Sequence, residues 1–324
     1  MTTKEIFDLV REDLVRVEQE LALQSGTAPI PVSDIAGCLL ESGGKRLRPA
    51  LLLLSAGYAG YHGPGAVRLS AVVELIHSAT LVHDDVIDGA DTRRGRPSAN
   101  SRWGNHRSVL AGDWLYMQAF QLALGERNFK ILDILIELTQ NMVEGELLQL
   151  ATLGHMDLSE TDALELSSRK TACLFSGCAR LGAVLGGLDD EGEQALADYG
   201  RFAGLAFQLV DDLLDFTASV ERLGKPVLSD LKEGKVTLPL IYALDNGHSE
   251  ARRLVAKVLE EGGFTSVRPE EITQLVQESG ALDRARQLAR DYAVRAKACL
   301  NGNATGDFGR ALRAVPDFIL DRDN

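Results

Sequence analysis

Residues 71–81, AVVELIHSATL, place Val72, Val73, Leu75, Ile76 and Ala79 at helical spacing with little polar interruption. They run directly into LVHDDVIDGADTRRG at residues 81–95. A helix this apolar has to be buried over much of its surface, so it belongs at the centre of a fold. Its end then gathers Asp84, Asp85 and Asp88, followed by Arg93 and Arg94. An apolar wall with a charged rim predicts a greasy cavity with metal at its mouth.

The rest of the chain reads as helix. Strand-like alternation is scarce, the 324 residues include only 9 prolines, and Leu, Ala, Glu and Arg favour helix. Helical patterns are expected over residues 6–23, a short stretch to 40, 50–59, 108–124, 130–153, a segment carrying Arg169, Lys170 and Thr171 toward Leu185, and 191–216. Further helices are expected over 238–243, 250–260, 270–278 and 282–300, before a tail from 304 to 324. Ser159 with Asp162 fits a capping box. Asp113 reads as a buried carboxylate within an apolar helix, and residues 217–237 as a long polar loop. An all-α single domain over residues 1–324 is the simplest assignment.

The net charge of −13 argues against non-specific nucleic-acid binding, which needs a positive footprint. Cys38, Cys173, Cys178 and Cys299 form no C-x-x-C pair, which suggests reduced thiols in a cytoplasmic protein. The N-terminus is amphipathic and contains acids, unlike a signal peptide. The longest uncharged run, 49–67, is broken by glycine and proline, so no transmembrane segment is expected.

FQLVDDLLDF repeats the aspartate spacing with Asp211, Asp212 and Asp215, again after an apolar helical run. Asp84 and Asp88 are four apart and so share a helix face. Like charges there repel unless a cation neutralises them, and Mg²⁺ prefers carboxylate oxygens and recruits phosphates. One such set could be a solvated acid patch; two on separate apolar helices argue for divalent cations. Lys45, Arg46 and Arg48 in GGKRLRP, Arg93, Arg94 and Arg96 in RRGRP, and Lys170, Lys225 and Lys235 offer phosphate contacts. Together they suggest one metal-bridged polyphosphate site and one bound by basic residues alone. His77, seven residues before Asp84, is on the same helix face and is a candidate substrate contact.

GGKRLRP, HDDVIDGADTRRG, FQLVDDLLDF and GKPVLSDLKEGKVTLPL, in this order, resemble the signature segments of the trans-isoprenyl diphosphate synthases, or polyprenyl synthetases. The resemblance extends over nearly the whole chain. It implies an all-α bundle around a deep central cavity, the isoprenoid synthase fold, usually as a homodimer. It also implies a reaction: isopentenyl diphosphate condenses head-to-tail onto an allylic diphosphate by ionisation, attack on the cation and loss of a proton. About three Mg²⁺ ions per site are implied, with Mn²⁺ as a possible substitute.

Carried over by position, Lys45, Arg48, His77 and Arg94 resemble the isopentenyl diphosphate site. Asp84, Asp88 and Asp211 resemble direct metal ligands, with Asp85, Asp212 and Asp215 acting through water or as supports. Arg93, Lys170, Lys225 and Lys235 resemble the allylic diphosphate clamp, and Thr171 and Gln208 would offer oxygen dipoles beside the cation. The tail departs from the family pattern. Many members end in a basic residue that reaches the active site, whereas this chain ends Asp321-Arg322-Asp323-Asn324.

In the family, bulky aromatics four and five residues before the first aspartate stop chain growth early. Here those positions are Thr80 and Ala79, with Ile76 a turn deeper. A helix turn rises about 5.4 Å, comparable to one isoprene unit, so an unblocked first turn lets the chain grow downward. With SVLAGDWLYMQAFQ at residues 108–121 resembling the longer-chain members, the expected product is about C30–C50, with C40 the central value. Such a product would partition to a membrane. The alternative within the family is a shorter C15–C25-type synthase. A class I terpene cyclase would leave GGKRLRP and RRG idle, and a non-catalytic synthase subunit would be expected to lose aspartates.

Overall fold

Pro64 opens the helix that ends in the first aspartate set, and a proline's missing N–H costs nothing at a helix start. Leu69, Val72, Val73, Ile76, Ala79 and Val82 are all shut off from solvent on one half of the helix, and Ser70, Ala71 and Leu75 are buried on the rest. Each large side chain among them contributes about 1.5–3 kcal/mol by burial. In the computed structural model the described residues are 1–41, 46–93, 95–217, 227–245, 249–300 and 306–323.

Chain order gives α1 (Thr3–Asp8), α2 (Arg11–Gly26), α3 (Ile30–Glu41), α4 (Leu47–Tyr58), α5 (Pro64–Ile87), the hairpin β1 (Thr92–Arg93) and β2 (Arg96–Pro97), α6 (Ala99–Trp103) and α7 (Asn105–Leu124). Next come α8 (Phe129–Thr152), α9 (Glu160–Ser167), a π-helical turn (Ser168–Ala172), α10 (Cys173–Leu185) and α11 (Asp190–Thr217). The last are α12 (Ser229–Lys232), α13 (Leu238–Asp245), α14 (Ser249–Glu261), α15 (Pro269–Glu278), α16 (Ala281–Cys299) and α17 (Asp307–Leu320). The all-α expectation holds, with one short antiparallel hairpin added.

The chain divides into two compact units. The first comprises Met1–Thr139, Leu174–Gly200 and Lys297–Val315. In it α5 packs against α7, α4 and α2. α10 approaches α4 so closely that a Cβ on Gly182 would lie 2.6 Å from Ser55 Cβ. By length and composition α5 could cross a membrane, but 72% of its apolar window is buried, as in a core helix. The second unit comprises Gln140–Cys173, Arg201–Ala296 and Pro316–Asn324. There α13 is buried along its length and packs against α9, α14 and α15. The Ser159–Asp162 capping box at the start of α9 is present in both directions.

Four expectations change. The long loop expected over 217–237 contains α12 in its described part, and residues 218–226 lie outside the described residues. The helix expected over 6–23 is two helices, because Val10 (φ −118°, ψ 14°) leaves the helical ladder. The tail contains α17, which runs through Pro316. Asp113 is not buried: its side chain is 60% exposed. The apolar neighbours that suggested burial, Leu110 and Met117, are themselves exposed on α7.

Candidate functional site

Each unit carries one aspartate set. In the first, Arg46 caps α4 in the left-handed region (φ 47°), an uncommon conformation for a non-glycine residue. Its guanidinium is bound on both sides, 2.5 Å from Glu18 and 2.5 Å from Glu74. Arg46 thus ties the start of α4 to α2 and to the interior of α5. Two residues on, Arg48 faces His77, with Nη1 and Nε2 3.2 Å apart, and lies over the ring of Phe175. The structure therefore brings together two residues of the expected isopentenyl diphosphate site. Lys45 and Arg94, the other two, lie outside the described residues.

At the end of α5, Asp84 and Asp88 are partly exposed and Asp85 is 1% exposed. Arg93, on β1, donates from Nε to Asp85 Oδ1 at 2.6 Å. Burial raises the Asp85 carboxyl above its ordinary range, against the pull of Arg93. Its Oδ2 is buried with no hydrogen-bond donor on it among the described residues. His83 turns away from its neighbour Asp84, placing Nε2 3.0 Å from the Val109 carbonyl. Gly112 makes the room, since a Cβ there would fall 2.2 Å from His83 Nε2. Behind the set, Ala79 and Ile76 are fully buried, and Thr80 donates to the His77 carbonyl at 2.7 Å.

In the second unit, Thr171 Oγ1 donates to Gln208 Oε1 at 2.6 Å, and Gln208 Nε2 donates to Asp212 Oδ1 at 2.8 Å. The two expected oxygen dipoles and one aspartate are thus a single chain of hydrogen bonds. Asp212 is buried, and its carboxyl is pushed well above the carboxylate range by burial and then by Asp230, with Asp211 and Asp215 adding to the repulsion. Asp215 accepts from Ser229 N at 3.2 Å, Ser229 Oγ at 2.8 Å and Asp230 N at 3.3 Å, tying α12 to α11. Lys170 pairs with Glu146, and Lys235 with Glu233. Lys225 lies outside the described residues. Arg322 donates to Asp211 at 2.9 Å and lies over Phe207. Despite the acidic residues around it, the tail does bring a cation to the second set. Sequence reasoning also missed Glu146, which no local pattern pairs with Lys170.

Among the described residues no three His, Cys, Asp or Glu side chains converge into a ready-made metal cage. The donors nevertheless fit Mg²⁺, which keeps several waters and binds through one or two carboxylates plus substrate phosphates. The orphaned Asp85 oxygen and the mutual repulsion around Asp212 both call for added positive charge.

Comparison with known proteins agrees over the whole length. The polyprenyl synthetase family model matches residues 31–278. The chain is 36% identical to octaprenyl diphosphate synthase of Escherichia coli (strain K12) over 323 residues, covering 100% of each chain. It is 35% identical to geranylgeranyl diphosphate synthase of Methanosarcina mazei over 302 residues, 92% of this chain and 91% of that one. The crystal structure of polyprenyl synthase from Caulobacter crescentus CB15, complexed with calcium and isoprenyl diphosphate, superimposes with a TM-score of 0.95 at 37% identity, covering 100% of this chain and 98% of that one. The aspartate sets, the helical architecture and these full-length matches lead to one assignment: this chain belongs to the polyprenyl synthetase family and is a trans-prenyl diphosphate synthase.

Proposed function

We propose that this synthase makes a long-chain all-trans product of about C30–C50, centred on C40, one isoprene unit corresponding to about one 5.4 Å helix turn. The observation that carries the reading is the small pair behind the first aspartate set: Ala79 and Thr80, with no aromatic ring at either position. The relatives alone do not choose a length, since the octaprenyl and geranylgeranyl enzymes are about equally similar.

Arg48 and His77, with Lys45 and Arg94 by resemblance, bind the diphosphate of isopentenyl diphosphate. Arg93, Lys170 and Lys235, with Lys225 by resemblance, bind the allylic diphosphate. Asp84, Asp88 and Asp211 offer carboxylate oxygens to Mg²⁺, while Asp85, Asp212 and Asp215 support them. Bound Mg²⁺ would neutralise and orient the leaving diphosphate. Thr171 and Gln208 present oxygen dipoles to the allylic cation, and Gln208 is fixed for that task by its bond to Asp212. Lysine ammoniums close on the departing diphosphate as point charges. Attack by the double bond and loss of a proton complete each cycle.

A second copy of the chain is the proposed partner. Leu110, Met117 and Leu124 on α7, and Phe129, Ile136, Val143 and Leu150 on α8, are exposed at intervals of seven residues. That is the spacing of a helix–helix seam. A monomer in sedimentation at micromolar concentration would count against it. Cytoplasmic residence, with the product passing to a membrane, completes the proposal.

Chromatographic sizing of products from labelled isopentenyl diphosphate tests the length. The wild-type chain is expected to give C30–C50 products and Ala79→Phe shorter ones. An unchanged length in the variant would remove Ala79 from the ruler.

A further inference from the structure

Ser168–Ala172 forms a π-helical turn directly after α9, and single π turns occur often at functional sites. It presents Lys170 and Thr171 in succession. α8 passes beside it so closely that a Cβ on Gly145 would lie 2.9 Å from Arg169 Cβ and 3.1 Å from the Lys170 backbone nitrogen. The residue after that glycine, Glu146, places Oε2 2.5 Å from Lys170 Nζ. The contact is one of charge rather than an aligned hydrogen bond. One turn on, and on the same face, Gln149 Oε1 accepts from Lys170 Nζ at 3.3 Å. The neighbouring Arg169 goes elsewhere, to Glu144 and Glu165.

Glu146 is a half-hidden carboxylate, its side chain 14% exposed, and nothing in the proposed reaction uses it directly. Lysine carries its charge on a flexible four-carbon stem and loses much rotamer freedom whenever it must meet a ligand in one place. An ammonium has three N–H donors. Here one bonds Gln149 Oε1 while the charge sits against Glu146 Oε2, and phosphate oxygens can take the others. We propose that Glu146 is a positioning residue: it holds the Lys170 ammonium in place before the allylic diphosphate arrives, with Gln149 as the second support. The proposal rests on the reading of Lys170 as a contact to that diphosphate. It assigns a task to α8 that the aspartate and lysine motifs do not contain.

The test uses the full chain with Mg²⁺ and measures KM separately for farnesyl diphosphate and isopentenyl diphosphate. Lys170→Ala is expected to raise the farnesyl diphosphate KM about tenfold or more and leave that for isopentenyl diphosphate within about twofold. Glu146→Ala should show the same one-sided pattern at about fivefold, and Glu146→Gln, which keeps the shape but not the charge, should recover little of the loss. If Lys170→Ala leaves both constants unchanged, the reading of Lys170 falls and the proposal with it. If Lys170→Ala behaves as expected while Glu146→Ala moves neither constant, or moves both equally, Glu146 is scaffold only and the proposal alone falls. Should Glu146→Ala fail to fold, Glu146→Asp carries the test. Its shorter carboxylate should raise the farnesyl diphosphate KM about threefold, and an unchanged value overturns the proposal.

Discussion

The two aspartate sets share one spacing and are built into the protein in different ways. The first lies at the end of α5, with Asp84 and Asp88 toward solvent and only Asp85 inside, paired with Arg93. The second lies within α11 and is largely internal. Asp212 is buried on a hydrogen-bond chain, Asp215 caps the start of α12, and Asp211 meets Arg322. Arg93 lies on Asp85 in the first set and Arg322 on Asp211 in the second, and the second set also has Asp230 acting on Asp212. An identical pattern of residue types is therefore placed in two ways: the first set keeps two carboxylates partly open to solvent, and the second also ties α12 to α11.

The largest test of that contrast is Asp84→Ala. With Mg²⁺ saturating, turnover should fall about 10³-fold, the scale for removing a group that stabilises developing charge, while thermal unfolding stays near wild type. Near-normal turnover would end the proposed metal role of Asp84. Asp215→Ala should show the opposite emphasis. It removes the acceptor for three hydrogen bonds at the start of α12 and should cost about 3 kcal/mol of stability, visible in denaturant unfolding without any ligand. Unchanged stability would reduce the second set to a plain ligand surface.

The smallest expected effect concerns pH. The Asp212 carboxyl has a folded-state pKa well above its ordinary value of 3.8. The folded protein therefore holds that proton better than the unfolded chain. This contribution to stability is complete below the unfolded value and is lost as pH rises through the folded one. Metal-free Asp212→Asn should keep the stability that the wild type loses over that interval, and Mg²⁺ should stabilise it less than it does the wild type. Parallel stability–pH curves for the two proteins would show that Asp212 is not electrostatically strained.

Much of the fold was legible in the sequence because burial leaves a period. Ile76, Ala79 and Val82 repeat at helical intervals, and Ser159 with Asp162 announces a helix start by local hydrogen bonding alone. Asp113 was misread because apolar neighbours on one helix do not reveal whether another element covers them. The partners of the charged groups were not legible at all. Arg46 lies in the same basic cluster as Arg48, yet it is bound to Glu18 and Glu74 while Arg48 faces His77.

The sequence by itself determined the helical class, the two aspartate sets and, through four ordered motifs, the family. These depend on residue type and spacing, which the chain carries openly. The tertiary structure decided which carboxylates are buried, that Asp215 is a cap, that Arg322 returns to Asp211 and that Glu146 holds Lys170. Those outcomes depend on distances of a few ångströms between residues up to 111 positions apart, and packing sets such distances where no local pattern does.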